Sequence, residues 1–167
     1  HDSCVVEPGP LKTNAGGQIS VYSPWHRKWC AHITSNPDAL KDYGKPAENP
    51  SSARKSFPSL FDAEIPPAPQ NKALNEEEKK RYGNLWPVGE EEANTRLQKF
   101  LETRISKYHE NRNLPAANHT SSLSAHLATG TLAARTAVRE ALKAAKRKAP
   151  TPDRDNGTMM WIGEVAW

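Results

Sequence analysis

The chain has 167 residues, enough for one domain of ordinary size. Its formal net charge of +4 permits a nucleic-acid partner without demanding one. No run of 18 apolar residues exists, so no helix can span a membrane. Two cysteines, Cys4 and Cys30, are too few for a disulfide framework and favour a reducing compartment. In such a compartment the N-x-T sequons at Asn118 and Asn156 carry no sugar. An apolar share of 36 % together with 14 prolines implies that part of the chain is linker or loop. The sequence opens on His1 and stops at Trp167 inside an apolar stretch, and both ends read as cut.

Residues 1–34 read as the edge of something larger. Val5-Val6 and Ile19 to Tyr22 have strand character, with turn chemistry between them at Pro8-Gly9-Pro10 and Gly16-Gly17. Trp25, Trp29 and Ile33 recur every fourth residue and predict a short helix. Two strands and one helix cannot bury a core alone, so they need partners. Residues 35–90 hold 8 of the 14 prolines and keep no persistent period, which makes them a linker. Only Asn75 to Arg81 suggests one or two helical turns.

From residue 88 the pattern becomes helical. Glu90 to Asn111 predicts one amphipathic helix with Ala93, Leu97, Leu101, Ile105 and Tyr108 on one face. Glu90, Glu91 and Glu92 suit its N-terminal dipole. Pro115 marks a loop. Thr120 to Ala128 predicts a helix stopped by Gly130. Ala133 to Lys148 predicts another, with Ala134, Val138, Ala141, Leu142 and Ala145 inward. Pro150 and Pro152 break the chain, and Thr158 caps a last helix carrying Trp161, Glu164 and Trp167. Gly163 inside that helix costs about 1 kcal/mol against alanine.

Three groups carry candidate chemistry. Thr120, Ser121, Ser122 and Ser124 place four hydroxyls around Leu123 at a helix start, where unpaired N–H groups and the dipole favour an anion such as a phosphate. The plain alternative is an N-cap with solvated serines. Trp161, Glu164 and Trp167 recur at intervals of three. Such a helix can hydrogen-bond a base edge and stack on its face, or it can be a buried stripe with one exposed carboxylate. Tyr108 and Arg112 stand one turn apart, suited to a ligand and a phosphate, or to core packing and a solvated cation. The basic run Lys143 to Lys148 is either a backbone contact or a solvated helix end. No Gly-rich phosphate loop, zinc spacing or nucleophile–base arrangement is present, so no metal is expected.

The segments Tyr108 to Ala116, Thr120 to Gly130, Arg135 and Trp161 to Trp167 closely resemble the photolyase/cryptochrome family in order and spacing. They are most similar to class I cyclobutane pyrimidine dimer photolyases. Trp86 to Glu90 with Leu97 and Phe100 resembles that family's entry into its helical domain, and Val6 to Trp29 the end of its antenna-binding domain. His119, where the family usually has glycine, and Ala133, where serine is common, depart from the pattern.

The resemblance implies a mainly α fold. Residues 1–34 would be the C-terminal edge of an α/β antenna domain, 35–87 the interdomain linker and 88–167 the N-terminal part of the FAD-binding helical domain. It implies that Tyr108, Thr120, Ser121, Ser122, Leu123, Ser124 and Trp161 hold FAD. Arg112, Glu164 and Trp167 would meet DNA, with Glu164 and Trp167 acting directly on the damaged pyrimidines. The activity implied is light-driven electron transfer from reduced FAD that splits pyrimidine dimers. A second, antenna chromophore of folate or deazaflavin type is implied for the longer parent. So are a monomeric state, no membrane, and residence in the nucleus and mitochondrion of a eukaryote. This piece alone is expected to be inactive. Two other readings compete: a cryptochrome-type blue-light receptor with the same flavin pocket, and a helical nucleic-acid-binding module without flavin.

Overall fold

A computed structural model describes residues 4–167. They divide into two compact units, one of residues 4–42 with 88–167 and one of Tyr43–Pro87. The fold is mainly α, as the sequence predicts.

The larger unit is built on α1 (Tyr22–Ser35), α5 (Glu90–Thr103), α6 (Tyr108–Asn111), α7 (Ser124–Thr129), α8 (Ala134–Ala144) and α9 (Gly157–Ala166). Its core joins Trp29 and Ile33 of α1, Leu97 and Phe100 of α5, Leu123, Val138 and Leu142 near and within α8, and Met159, Trp161 and Ile162 of α9. The strand expectation for Val5-Val6 and Ile19 to Tyr22 is not met. Among the described residues there is no strand, only one antiparallel bridge, Lys12 with Gln18, closed by a turn in which Thr13 N donates to Gly17 O at 2.8 Å. Val5 and Ile19 bury their side chains without backbone pairing, and Tyr22 already belongs to α1. A lone strand pair without neighbours is not stable by itself, and here the side chains find a helical core instead.

The predicted helix over 90–111 is three pieces. α5 stops at Thr103, whose Oγ1 donates back to Lys99 O at 2.6 Å, and Arg104 leaves the helical region at φ −130°. Ile105–Lys107 then forms a 3-10 turn before α6. The expected face is otherwise kept. Ala93, Leu97, Leu101 and Ile105 are buried and Tyr108 is half-buried, with Phe100 joining them. α8 ends at Ala144 rather than Lys148, because Lys146 takes a left-handed conformation (φ 53°) and Arg147 N closes onto Leu142 O. The basic run therefore lies largely past the helix. The cap of α9 is Asn156, whose Oδ1 accepts from Thr158 N at 2.9 Å and Met159 N at 3.2 Å. Thr158 is buried inside the first turn. An asparagine side chain reaches the free N–H groups of the first turn from outside the helix, which a threonine two positions later cannot do.

Two glycines permit close approach. A Cβ on Gly157 would stand 2.0 Å from Ile105 O, so the start of α9 lies directly on the 3-10 turn. A Cβ on Gly163 would meet the Tyr22 hydroxyl at 2.4 Å, which accounts for glycine inside that helix.

The smaller unit carries α2 (Ser51–Ser56), α3 (Pro58–Phe61) and α4 (Glu76–Leu85). No residue in it is buried. Its helices rest on local chemistry. A capping box joins Asn75 and Glu78 at 2.8 and 2.9 Å, and Arg54 pairs with Asp62 at 3.2 Å while lying over Phe61. α4 is longer than the one or two turns the sequence suggests, and the capping box is what starts it.

Candidate functional site

α9 is the spine of the site. Its spacing sends Trp161 inward and Glu164 outward, and Trp167 stands at the end of the helix. The side-chain exposures are unequal: Trp161 is 2 % exposed and Trp167 is 62 % exposed. The two indoles of the motif are thus one core residue and one surface residue. Trp161 packs on Phe100 at 5.2 Å, and Phe100 meets Tyr108 edge-on at 5.9 Å. One α5 side chain therefore supports both aromatic members of the candidate flavin set.

Arg112 and Glu164, 52 residues apart, form an ion pair. α6 supplies the arginine as its C-cap, and α6 lies against α9 along its length. The same guanidinium also reaches Met160 Sδ at 3.4 Å. Burial pushes the Tyr108 hydroxyl up, and the Glu164 carboxylate adds to that shift. Tyr108 accordingly stays a protonated donor near neutral pH.

Trp167 rests on α1. Its ring meets Trp25 at 4.9 Å and Tyr22 at 5.4 Å, both edge-on. Tyr22 stacks on His26 at 5.2 Å, and Trp25 continues to Trp29 at 6.1 Å. Of these α1 residues the sequence pattern marks only Trp25 and Trp29 as a helical stripe, and assigns Tyr22 to a strand. The signal available was the aromatic density of Tyr22, Trp25, His26 and Trp29 in eight residues. His26 is buried with no hydrogen-bond partner on Nε2 among the described residues, and burial lowers its basicity, which favours the neutral ring in the stack. Trp25, Trp29 and Trp167, with Val5, Leu11 and Ile19, line an apolar groove of about 520 Å³.

The hydroxyl segment differs from expectation. Thr120 to Leu123 precede the helix, which begins at Ser124 and runs six residues to Thr129. Ser122 is left-handed at φ 53°, so the turn departs from helical geometry just before α7. Gly130 ends α7 at φ 76°, as predicted. Leu123 is buried in the core that also holds Trp161. Ser122 opens instead on a cavity of about 450 Å³ beside α5, lined by Arg96, Lys99, Thr103, Arg104 and Asn118. Arg104 Nη1 ties the loop to α5 by donating to Asn118 O at 3.0 Å. No hydrogen bond joins the hydroxyls to α9 among the described residues. The structure thus gathers Tyr108, Arg112, Trp161 and Glu164, places Trp167 on α1 beside them, and sets the hydroxyl turn against α5 with Leu123 as the link through the core. Among the described residues no group of acidic, histidine or cysteine side chains could hold a metal ion, and no helix is long and apolar enough to cross a membrane. Cys30 is buried, and its thiol is pushed up to about 11 by that burial.

No protein-family model matches the chain. Curated proteins do. The chain is 49 % identical over its whole length to a deoxyribodipyrimidine photo-lyase of Neurospora crassa, of which it spans 27 %. It is 31 % identical to a mitochondrial deoxyribodipyrimidine photo-lyase of Saccharomyces cerevisiae and 33 % identical to one of Halobacterium salinarum, spanning 29 % and 32 % of them. Among solved structures, a bacterial class III photolyase from Agrobacterium tumefaciens matches with a TM-score of 0.63 at 22 % identity. That match covers 99 % of this chain and 32 % of the other, and it speaks to the fold.

Proposed function

Because the chain belongs to the photolyase family, we propose that it forms part of a light-driven DNA repair enzyme that splits cyclobutane pyrimidine dimers. The single observation that carries this reading is Trp167, braced edge-on by Tyr22 and Trp25, one turn from the Glu164–Arg112 pair on α9. A tryptophan held by its edges keeps its ring face for a flat partner. A carboxylate one turn away accepts hydrogen bonds from a base edge. The arginine that holds it supplies charge for the strand's phosphates.

The donor set suits FAD. The hydroxyls of Thr120, Ser121, Ser122 and Ser124 are acceptable partners for a pyrophosphate, and Lys99 and Arg104 add positive charge beside Ser122, where Arg96 is paired with Glu92. Tyr108 would flank the flavin side, with Trp161 and Leu123 in the core behind it. Reduced FAD, when bound, supplies the photoexcited electron that opens the cyclobutane ring. The chain's own residues would bind the flipped-out bases, orient them on Trp167 and hold their N–H edge on the Glu164 carboxylate, while the Arg112 cation beside it offsets the negative charge that develops on them.

In this reading residues 1–34 are the edge of an α/β antenna domain, 35–87 the linker and 88–167 the start of the FAD-binding domain. The antenna chromophore is of folate or deazaflavin type. The DNA served is nuclear, with mitochondrial DNA as a second target, and the protein acts as a monomer.

The flavin assignment has its own test. Full-length protein is expected to purify with about one FAD per chain, and the double variant Thr120→Ala, Ser121→Ala to lose most of it. Equal flavin content in the variant, measured by absorbance after denaturation, would remove the hydroxyl turn from the cofactor site.

A further inference from the structure

Arg154 stands at the same face of α9, and no role follows for it from the sequence motifs. Its Nη2 lies 3.4 Å from Met160 Sδ, the sulfur that Arg112 Nη1 also approaches at 3.4 Å. The two donor nitrogens are therefore at most about 7 Å apart. Their charges are not equivalent. Arg112 is paired with Glu164, whereas Arg154 has no carboxylate partner among the described residues. Asp153, next to it in sequence, accepts from Asp155 N at 2.9 Å and forms no ion pair with it. What fixes Arg154 is an aromatic face. Its guanidinium lies over the Tyr22 ring at 5.0 Å, and Tyr22 is one of the two rings bracing Trp167. Burial raises the Tyr22 hydroxyl and the Arg154 charge opposes it, so the ring remains a neutral surface for the cation.

We propose that Arg154 is a second phosphate-gripping residue of the site described above, acting beside Arg112 on the DNA strand that carries the stacked bases. The proposal rests on the reading of Trp167 as the stacking platform. A guanidinium held over an aromatic ring keeps N–H groups for a second partner, and its fork suits a phosphate oxygen. Arg154 brings a guanidinium to the platform that no carboxylate among the described residues pairs. That charge attracts a polyanion without reading its sequence. Arg154 is thus a positioning residue, and it sets where the strand lies relative to Trp167.

The test is binding of the full-length protein to a duplex oligonucleotide, ultraviolet-irradiated or not, across a range of salt. Arg154→Gln is expected to weaken both DNAs by the same factor, roughly fivefold, and to lower the salt slope by about one. Arg154→Lys is expected to keep the slope, since it keeps the charge, while binding more weakly than the parent. Unchanged affinity and slope in Arg154→Gln, with Trp167→Ala still impaired on irradiated DNA, would overturn the proposal and leave the platform standing. A loss confined to irradiated DNA would also overturn it, because a phosphate contact cannot tell the two apart. If Trp167→Ala binds irradiated DNA as well as the parent does, the platform reading fails and this proposal fails with it.

Discussion

Trp167→Ala in the full-length protein is expected to lower affinity for dimer-containing DNA by roughly 10- to 100-fold while leaving the melting temperature nearly unchanged. The two halves of this expectation have one cause. The indole meets the rest of the chain only by edge contacts to Tyr22 and Trp25, and those are what its removal costs. Edge contacts leave the ring face for a base, and a base stacked on an aromatic ring contributes about 1–3 kcal/mol. Trp161, six residues earlier on α9, is the opposite case. Its indole is sealed against Phe100, and its loss is a loss of core. Undamaged duplex, whose bases stay stacked on one another, should discriminate little between parent and Trp167→Ala. Gel-shift or anisotropy titrations on both DNAs check this. A melting temperature that falls by many degrees would assign Trp167 to the core instead.

Gly157→Ala is expected to destabilise the fold by about 3 kcal/mol, or on the order of 10 °C in melting temperature. The added Cβ would lie 2.0 Å from Ile105 O and 2.7 Å from Ser106 O. Both obstacles are backbone, held in a 3-10 turn between α5 and α6, and neither can rotate aside. α9 would have to lift, and the contacts of Met159, Trp161 and Ile162 with the core lift with it. Gly163 shows the contrast. Its Cβ would meet the ends of two side chains, the Tyr22 hydroxyl at 2.4 Å and His26 Nε2 at 3.2 Å, and not backbone, so the cost is smaller. The gain of about 1 kcal/mol in helix propensity also offsets that contact. Thermal denaturation of the two variants side by side separates the cases. A Gly157→Ala protein as stable as the parent would mean that α9 does not seat on the 105–107 turn.

Local periodicity made much of this legible in advance. Ala93, Leu97 and Leu101 fall on one face because a helix of any tertiary context places residues three and four apart together. Gly130 ends α7 because a left-handed residue is a property of the backbone alone. The pairing of Arg112 with Glu164 was not legible from spacing, since 52 residues separate them and only the packing of α6 on α9 brings them together. Nor was the brace of Trp167, which depends on α1 meeting the end of α9. The glycine at 163 looked costly until Tyr22 was seen to occupy the space of its missing side chain. Val5 and Ile19 misled for a physical reason. β-branched residues next to turns signal burial as much as pairing, and here only the burial is realised. The hydroxyl turn shows a similar ambiguity. Serine and threonine favour a helix start and a non-helical turn alike, and Ser122 at φ 53° holds Thr120 to Leu123 outside the helix.

Light-dependent removal of pyrimidine dimers from DNA by the full-length protein, compared with its Glu164→Ala variant, tests the central claim most directly. Dimers should disappear only under illumination with the flavin reduced, and the variant should repair each absorbed photon's worth of damage several-fold less efficiently. Persistent dimers after illumination of the fully reduced, DNA-bound parent protein would contradict it.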